Sequence, residues 1–526
     1  MFSPSWQQLE PAEEIDQPDQ TLAEPAVQAG PTDPPPPPLP EPADPQPPRS
    51  SLELLQKYGG GGGGVSGNRP SSSSTCSTPP PQRRPLAVEE ALRIAGRRIV
   101  EFSSGKAGAP SMLNIPFDPS LSDLCEDDVR SVELAEYLLA AAERIGDKQF
   151  DHAAALLNLC ESLASKTGNA VQRLGYCFCK ALRKKIAHDT EKKTSVRNAN
   201  ESKVLTSDFI VKAMQCGAIP MFQVPHIVGV QAIIENVAKA NKIHVIDLKI
   251  GNGHQWVALM QGLTSLSDRE PVDLLRVTAV TTTNSDQSSI EDTGSQLTSF
   301  AHTIKVPFQF NVVVIEDEDA ASDFRADRFD LNPTEEALVV YSERVLRTLI
   351  VDSRRIERMM RVIKQMNPRV MVTVEVEANL NSPNFTKRFV ETIFFYGATF
   401  ENLESCMARD DPNRLWIETG LFGSQVGNIL ASEGEDRYVR SVNLEVWRKF
   451  FSRFGMVEVE PSLTASHQAK WFLNKFATGR SYTIESNERS LVLGFKGTPM
   501  LSVSTWKFIQ FARLISDNHE LRVEFY

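Results

Sequence analysis

From Asp127 onward, apolar residues recur at helical spacing. Leu134, Leu138, Ala141 and Ile145 share one face, followed by Leu156, Leu159 and Leu163, and then by Leu174, Phe178, Ala181 and Leu182. Residues three and four apart lie above one another on a helix, so each set predicts an amphipathic helix. Gly146-Asp147 separates the first from the second, and Lys166-Thr167-Gly168 the second from the third. Each stretch is too short for an autonomous coiled coil, so the three predict a helical bundle or cap rather than a zipper. A marginal helix is predicted over residues 86 to 101, and the loop GKAGAPSMLNIPFDPS follows it.

Beyond the charged loop HDTEKKTSVRNANESK, helices are predicted around 208 to 216 and over HIVGVQAIIENVAKAN, which follows Pro225. The pattern then alternates. Strand IHVIDL precedes a helix from Gln255 to Leu266, LLRVTAV (274 to 280) a helix around Ile290 to Thr303, and FQFNVVV (308 to 314) a long helical region over 334 to 366. Strand RVMVTVEVE (369 to 377) precedes the helix NFTKRFVETIFFYGATFENLE. Nearly continuous apolar strands separated by helices predict a parallel sheet covered on both faces. YTIES, RSLVLGFKG and LSVSTWKF read as short strands, the last two joined at Gly497-Thr498-Pro499 into an antiparallel hairpin that closes the sheet. The predicted fold class is therefore α/β: a Rossmann-like, methyltransferase-like parallel sheet with a terminal antiparallel hairpin, plus an N-terminal helical cap.

Composition divides the chain further. Residues 1 to 85 contain 20 of the 33 prolines, the glycine run Gly59 to Gly64 and the serine run Ser71 to Ser74. Such a segment buries too little apolar surface to offset its ordering entropy, so a disordered tail is predicted. The island SLELLQKY (51 to 58) reads either as a partner-binding helix or as coil. Residues 86 to 120 read as a linker with a short helix, 121 to 235 as the helical cap and its lead-in, 236 to 508 as the α/β core, and 509 to 526 as a C-terminal extension.

The net charge of −11 is concentrated at one end: residues 1 to 48 hold nine of the 67 acids and no Lys or Arg. The remainder carries 58 acids against 56 bases. A near-neutral domain has no general pull on phosphates, so direct DNA contact requires a local patch. No apolar run approaches the roughly 18 residues of a membrane span, and the start MFSPSWQQLE lacks a secretory pattern. The seven cysteines form no C-x-x-C pair and no zinc spacing, which predicts reduced thiols and no metal.

The candidate chemistry centres on HVIDLKIGNGHQW, residues 244 to 256. A methyltransferase opens its cofactor site with an acid, an apolar residue and a Gly-x-Gly-x-Gly turn after the first strand. Here Asp247 is followed by Leu248, and Gly251 and Gly253 fall in register, but Lys249 replaces the first glycine. A side chain there intrudes where the backbone must approach a ligand. The tip of the second strand gives Thr281-Thr282-Thr283-Asn284, with no carboxylate for a ribose until Asp286. No nucleophile elbow, P-loop or Asn-Pro-Pro-Tyr-like stretch is present. Asp247 equally reads as a cap of the turn or of the following helix.

NKIHVIDLKIGNGHQWVALMQGL resembles the signature of the plant GRAS family, Val-His-Ile-Ile-Asp in words. Apolar repeats flank it at 132 to 186 and 337 to 366. VTVEVEANLNSPNFTKRFVETIFFYGATFENLE, with Phe395-Tyr396, resembles the next family block. The following Arg-Glu block is matched through Glu433-Gly434, Arg437, Arg440 and Trp447, and the terminal Ser-Ala-Trp block by LVLGFKGTPMLSVSTW. Leu248 stands where Phe is usual, and Ser504-Thr505-Trp506 replaces Ser-Ala-Trp. The chain most resembles the SCARECROW-like branch, and no Asp-Glu-Leu-Leu-Ala motif precedes the domain, which speaks against the DELLA branch. The resemblance implies a nuclear transcriptional regulator that works through protein partners, including other GRAS proteins and zinc-finger DNA-binding proteins. It implies no catalysis and no cofactor.

On that reading Asp247, Gly251, Gly253, Gln255 and Trp256 form a partner surface or a vestigial pocket, unless Trp256 simply packs under the cap. Trp471 and Trp506 read as structural. Arg354, Arg355, Arg358 and Arg361 are candidates for DNA contact on a cap-side surface, and Arg183, Lys184, Lys185, Lys192 and Lys193 for nuclear import; solvated helix faces are the plainer explanation of both clusters. Homo- or hetero-association through the helices at 132 to 186 is a further expectation. The competing readings are direct sequence-specific DNA binding and an S-adenosylmethionine-like sensor or degenerate methyltransferase.

Overall fold

The computed structural model describes residues 86–103, 124–190, 219–265, 270–281, 287–315 and 323–509. The expectations for the tail at 1–85, the helix at 208–216, the strand-two tip at 282–286, Lys192, Lys193 and the extension beyond 509 lie outside these residues.

The helical part begins with α1 (Val88–Ser103), α2 (Glu126–Gly146), α3 (Phe150–Leu163) and α4 (Ala170–Thr190). The breaks between α2, α3 and α4 fall where the glycines put them. α1 is no linker: Val88, Ala91, Leu92 and Ala95 are buried, and α1 packs on α2. Its sequence is amphipathic, but nothing local reveals that the buried face belongs to a bundle with the helices described from Glu126 onward.

α5 (Pro220–Asn236) begins ahead of Pro225, not after it. A proline in a second turn forfeits one backbone hydrogen bond. α5 compensates by burying most of its residues, on the sheet and on its helical neighbours. It therefore belongs to the layer covering the sheet, although it was expected in the cap's lead-in.

Alternation follows: β1 (Lys242–Asp247), α6 (His254–Ser265), β2 (Leu274–Thr281), α7 (Gln287–Thr303), β3 (Phe308–Val314) and β4 (Ala337–Glu343). Next come α8 (Ser353–Met366), β5 (Val370–Val376) and α9 (Phe385–Cys406). The region 334 to 366, expected to be helical throughout, thus holds a central strand. A continuous apolar run such as Ala337 to Val340 has no period that separates a buried strand from a buried helix. Its burial on both faces between β1 and β5 decides for the strand.

The described residues end with α10 (Pro412–Trp416), a π-helical turn (Ile417–Phe422), α11 (Gly423–Ala431), α12 (Leu444–Ser452), β6 (Met456–Val459), α13 (Leu463–Leu473), β7 (Tyr482–Asn487), β8 (Ser490–Phe495) and β9 (Thr498–Phe508). The strands form one sheet in the order β3-β2-β1-β4-β5-β9-β8-β7, with β6 pairing the end of β9. β3 to β5 are parallel along this order, and β9 runs antiparallel to β5. This is the predicted methyltransferase-like sheet. Its strand order reverses between β1 and β4, the point where open α/β sheets bind ligands.

α9 and α11 return to the bundle and pack on α4. Gly397 of α9 makes close approach possible: a Cβ there would lie 3.0 Å from Val88 Cγ1. The free thiols of Cys160, Cys177 and Cys179 are buried among these helices. Among the described residues, no helix is long and apolar enough to cross a membrane.

Candidate functional site

At the carboxyl end of β1 the backbone turns sharply into α6. Gly251 (φ 57°) and Gly253 (φ 68°) both adopt the left-handed conformation that favours glycine. They do different work. A Cβ on Gly251 meets open space, whereas one on Gly253 lies 3.0 Å from Thr293 Cγ2 and 3.1 Å from Leu297 Cδ1 on α7. Gly251→Ala is expected to cost about 1 kcal/mol from its dihedral, and Gly253→Ala roughly 2–3 kcal/mol once packing is added. Urea denaturation of the two variants measures the gap; equal losses would mean that the α7 contact is irrelevant.

Asp247 is fully buried, and its carboxylate is consumed from within. Oδ1 accepts the Lys249 backbone N–H at 3.0 Å. Oδ2 accepts the Gln255 side-chain amide at 3.1 Å and the Trp256 indole N–H at 2.9 Å. Burial pushes this carboxyl up to about 7, against the three donors that favour its charged form. Trp256 has no exposed surface and meets Tyr341 of β4 edge-on, with ring centroids 5.2 Å apart. The residues read as a pocket or partner surface are thus brought together, but Gln255 and Trp256 point inward; only His254 of this turn is exposed.

Across the reversal point, at the end of β4, lies a second polar group that the sequence did not disclose. Glu343 Oε2 is 2.7 Å from His226 Nε2 of α5 and accepts the Tyr341 hydroxyl at 3.1 Å, while its Oε1 accepts from Arg344 at 2.6 Å. Arg344, at φ 54°, lies over the Phe222 ring. Glu375 of β5, also buried, accepts the Leu346 backbone N–H at 3.1 Å, and burial pushes its carboxyl up to about 8. Reading 334 to 366 as helix hid Glu343; as the acid closing an apolar strand beside β1, it would have been a candidate.

Burial alone would raise Glu343, but His226 and Arg344 outweigh it and hold its carboxyl at about 2. A carboxyl depressed from its ordinary 4.5 stabilises the fold fully above that value, and the contribution is lost as pH falls toward 2. The amount is roughly 3 kcal/mol. Between pH 5 and 2 the wild type is therefore expected to lose stability more steeply than Glu343→Gln in parallel urea titrations; equal slopes would count against the pair.

The basic candidates separate. Arg354, Arg358 and Arg361 are exposed on α8 and Arg355 is half-buried. Arg361 makes a 3.5 Å pair with Glu357, which also pairs with Arg453 at 3.1 Å. α8 lies against the turn at Ala326–Phe329 and the one-turn helix Leu346–Leu349. Arg183 pairs with Glu161 at 3.0 Å. Lys184 is exposed, but Lys185 is buried in a 3.0 Å pair with Glu433. Trp506 is buried as expected; Trp471 is 62% exposed, with Lys475 Nζ 3.5 Å from its ring centroid. Among the described residues, no three His, Cys, Asp or Glu are placed to hold a metal ion.

Comparison with known proteins agrees with this geometry. The GRAS domain family model matches residues 134–507. DELLA protein RGL1 of Arabidopsis thaliana is 32% identical over 376 residues, covering 72% of this chain and 70% of that protein. DELLA protein GAIP of Cucurbita maxima is 30% identical over 408 residues, covering 77% of this chain and 67% of that protein. The crystal structure of SCL7 in Oryza sativa superposes with a TM-score of 0.62 at 25% identity, covering 71% of this chain and 99% of SCL7.

Proposed function

The chain belongs to the GRAS domain family of plant regulators, and from that premise we propose that it is a nuclear adaptor. In this reading the folded domain binds a DNA-bound protein of the zinc-finger class or another GRAS protein, and the acidic proline-rich segment recruits further factors. It carries out no methyl transfer. The observation that supports this most is the engagement of the buried Asp247 by Lys249, Gln255 and Trp256: an acid turned inward onto three of the protein's own donors is not presented to a cofactor.

The test is a reporter assay in plant cells, paired with recovery of the DNA-bound partner. Deleting residues 1–85 is expected to leave partner recovery intact and to change transcriptional output. Loss of partner recovery would contradict this division of labour.

A second reading, direct duplex contact, is favoured by one feature: Arg354, Arg358 and Arg361 are exposed at helical spacing on one face of α8. It requires duplex affinity that falls steeply with salt and is lost on charge reversal of Arg354 and Arg358. Anisotropy titrations that show neither would leave the adaptor reading alone.

A further inference from the structure

The amino-terminal edge of the sheet, opposite the glycine turn, carries a cavity of about 870 Å³ lined by the starts of β4 and β5 and the end of β9. That volume is within the range of small-molecule sites. At its base lies His244 of β1, completely buried. Its Nε2 is 2.8 Å from Thr278 Oγ1, whereas Nδ1 has no hydrogen-bond partner and stands 3.6 Å from Glu336 Oε2. A buried ring nitrogen left unpaired is costly unless something supplies its partner.

The charges around the cavity are unequal. Glu336 is bonded by Arg276, which also pairs with Asp330 at 2.9 Å, so one cation is shared by two acids, which Arg369 and Lys507 outweigh. Arg369 and Lys507 also line the cavity, and among the described residues neither side chain has an ion-pair or hydrogen-bond partner. The charge left unmatched is therefore positive. Leu331, Met366 and Ile509 supply apolar wall, and Ile509 is 53% exposed at the end of β9.

We propose that this cavity is a binding site for a small organic anion with an apolar body, its acid group on Arg369 and Lys507, its hydrocarbon against Leu331, Met366 and Ile509, and a polar substituent reaching His244 Nδ1. Burial and Arg276 hold the His244 ring down at about 4, so it meets such a ligand in its neutral form at physiological pH.

The probe is 1-anilinonaphthalene-8-sulfonate, titrated by fluorescence into the full chain. Saturable binding at one site is expected. Arg369→Ala with Lys507→Ala should weaken it by about tenfold or more, the loss of at least one charge-assisted contact. Leu331→Trp, which fills the cavity, should abolish it, with the thermal unfolding of both variants unchanged. The uncharged analogue 1-anilinonaphthalene should bind the wild type about tenfold more weakly. An unchanged affinity in the charge variant or in the filling variant overturns the site. Equal binding of the two dyes overturns its preference for anions.

Discussion

Replacing Arg388 with methionine is expected to destabilise the folded chain by roughly 3–5 kcal/mol: the Ile429 and Ser382 carbonyls lose their donor, at about 1–3 kcal/mol each, and so does Glu433, which keeps only Lys185. Arg388 lies in the first turn of α9 with no exposed surface. Its Nε donates to the Ile429 carbonyl at 2.9 Å, Nη1 to Ser382 at 2.7 Å, and Nη2 to Glu433 at 2.5 Å. Ile429 is in the last turn of α11, whose final carbonyls have no partner within the helix. One guanidinium thus closes α11, fixes the loop ahead of α9, and meets the same carboxylate as Lys185 of α4. Arg388→Lys keeps the charge but not the planar fork, so it should recover only part of the loss. Urea unfolding of the three proteins gives the order wild type, lysine, methionine; a methionine variant within about 1 kcal/mol of wild type would rule out this joint.

Asp247→Ala should cost a similar amount, roughly 3–5 kcal/mol, for a different reason. It strands three donors, the Lys249 N–H, the Gln255 amide and the Trp256 indole, each worth about 1–3 kcal/mol when buried without an acceptor. The total stays below the sum because the Gln255 amide also reaches the Ile250 carbonyl at 3.2 Å. Asp247→Asn offers a single acceptor oxygen and should lose less. Near-UV circular dichroism follows the Trp256–Tyr341 contact, and chemical unfolding gives the free energy. An acid retained for a ligand would instead tolerate removal, or even stabilise the chain when removed. A loss under about 1 kcal/mol would therefore speak against the structural role assigned here.

Much of the sheet could be read directly. β1, β2 and β5 are apolar runs bounded by turn residues, and they are buried along almost their whole length. β4 escaped because Ala337 to Val340 adjoins the strongly amphipathic α8 and offers no alternation of its own. Asp247, Gly251 and Gly253 were legible as a glycine turn because their spacing is local. The closure of that turn was not, since it depends on which way Gln255 and Trp256 point. The His226–Glu343 pair joins residues 117 apart, and no local pattern announces it. The family blocks have a structural meaning that spacing alone does not convey. Arg440, for instance, donates to the Arg437 carbonyl at 2.8 Å and to Asn381 Oδ1 at 3.0 Å, holding the chain between α11 and α12.

At the reversal point between β1 and β4, Asp247 is engaged by the protein's own Gln255 and Trp256 side chains. Calorimetric titration of the folded full chain with S-adenosylmethionine tests it most directly, with Lys249→Gly alongside. No saturable heat is expected for either protein up to millimolar ligand, because the glycine leaves Asp247 bonded to Gln255 and Trp256. Binding by the unmutated chain with a Kd tighter than about 100 µM, some 5.5 kcal/mol of affinity, would contradict it and reopen the search for a methyl acceptor.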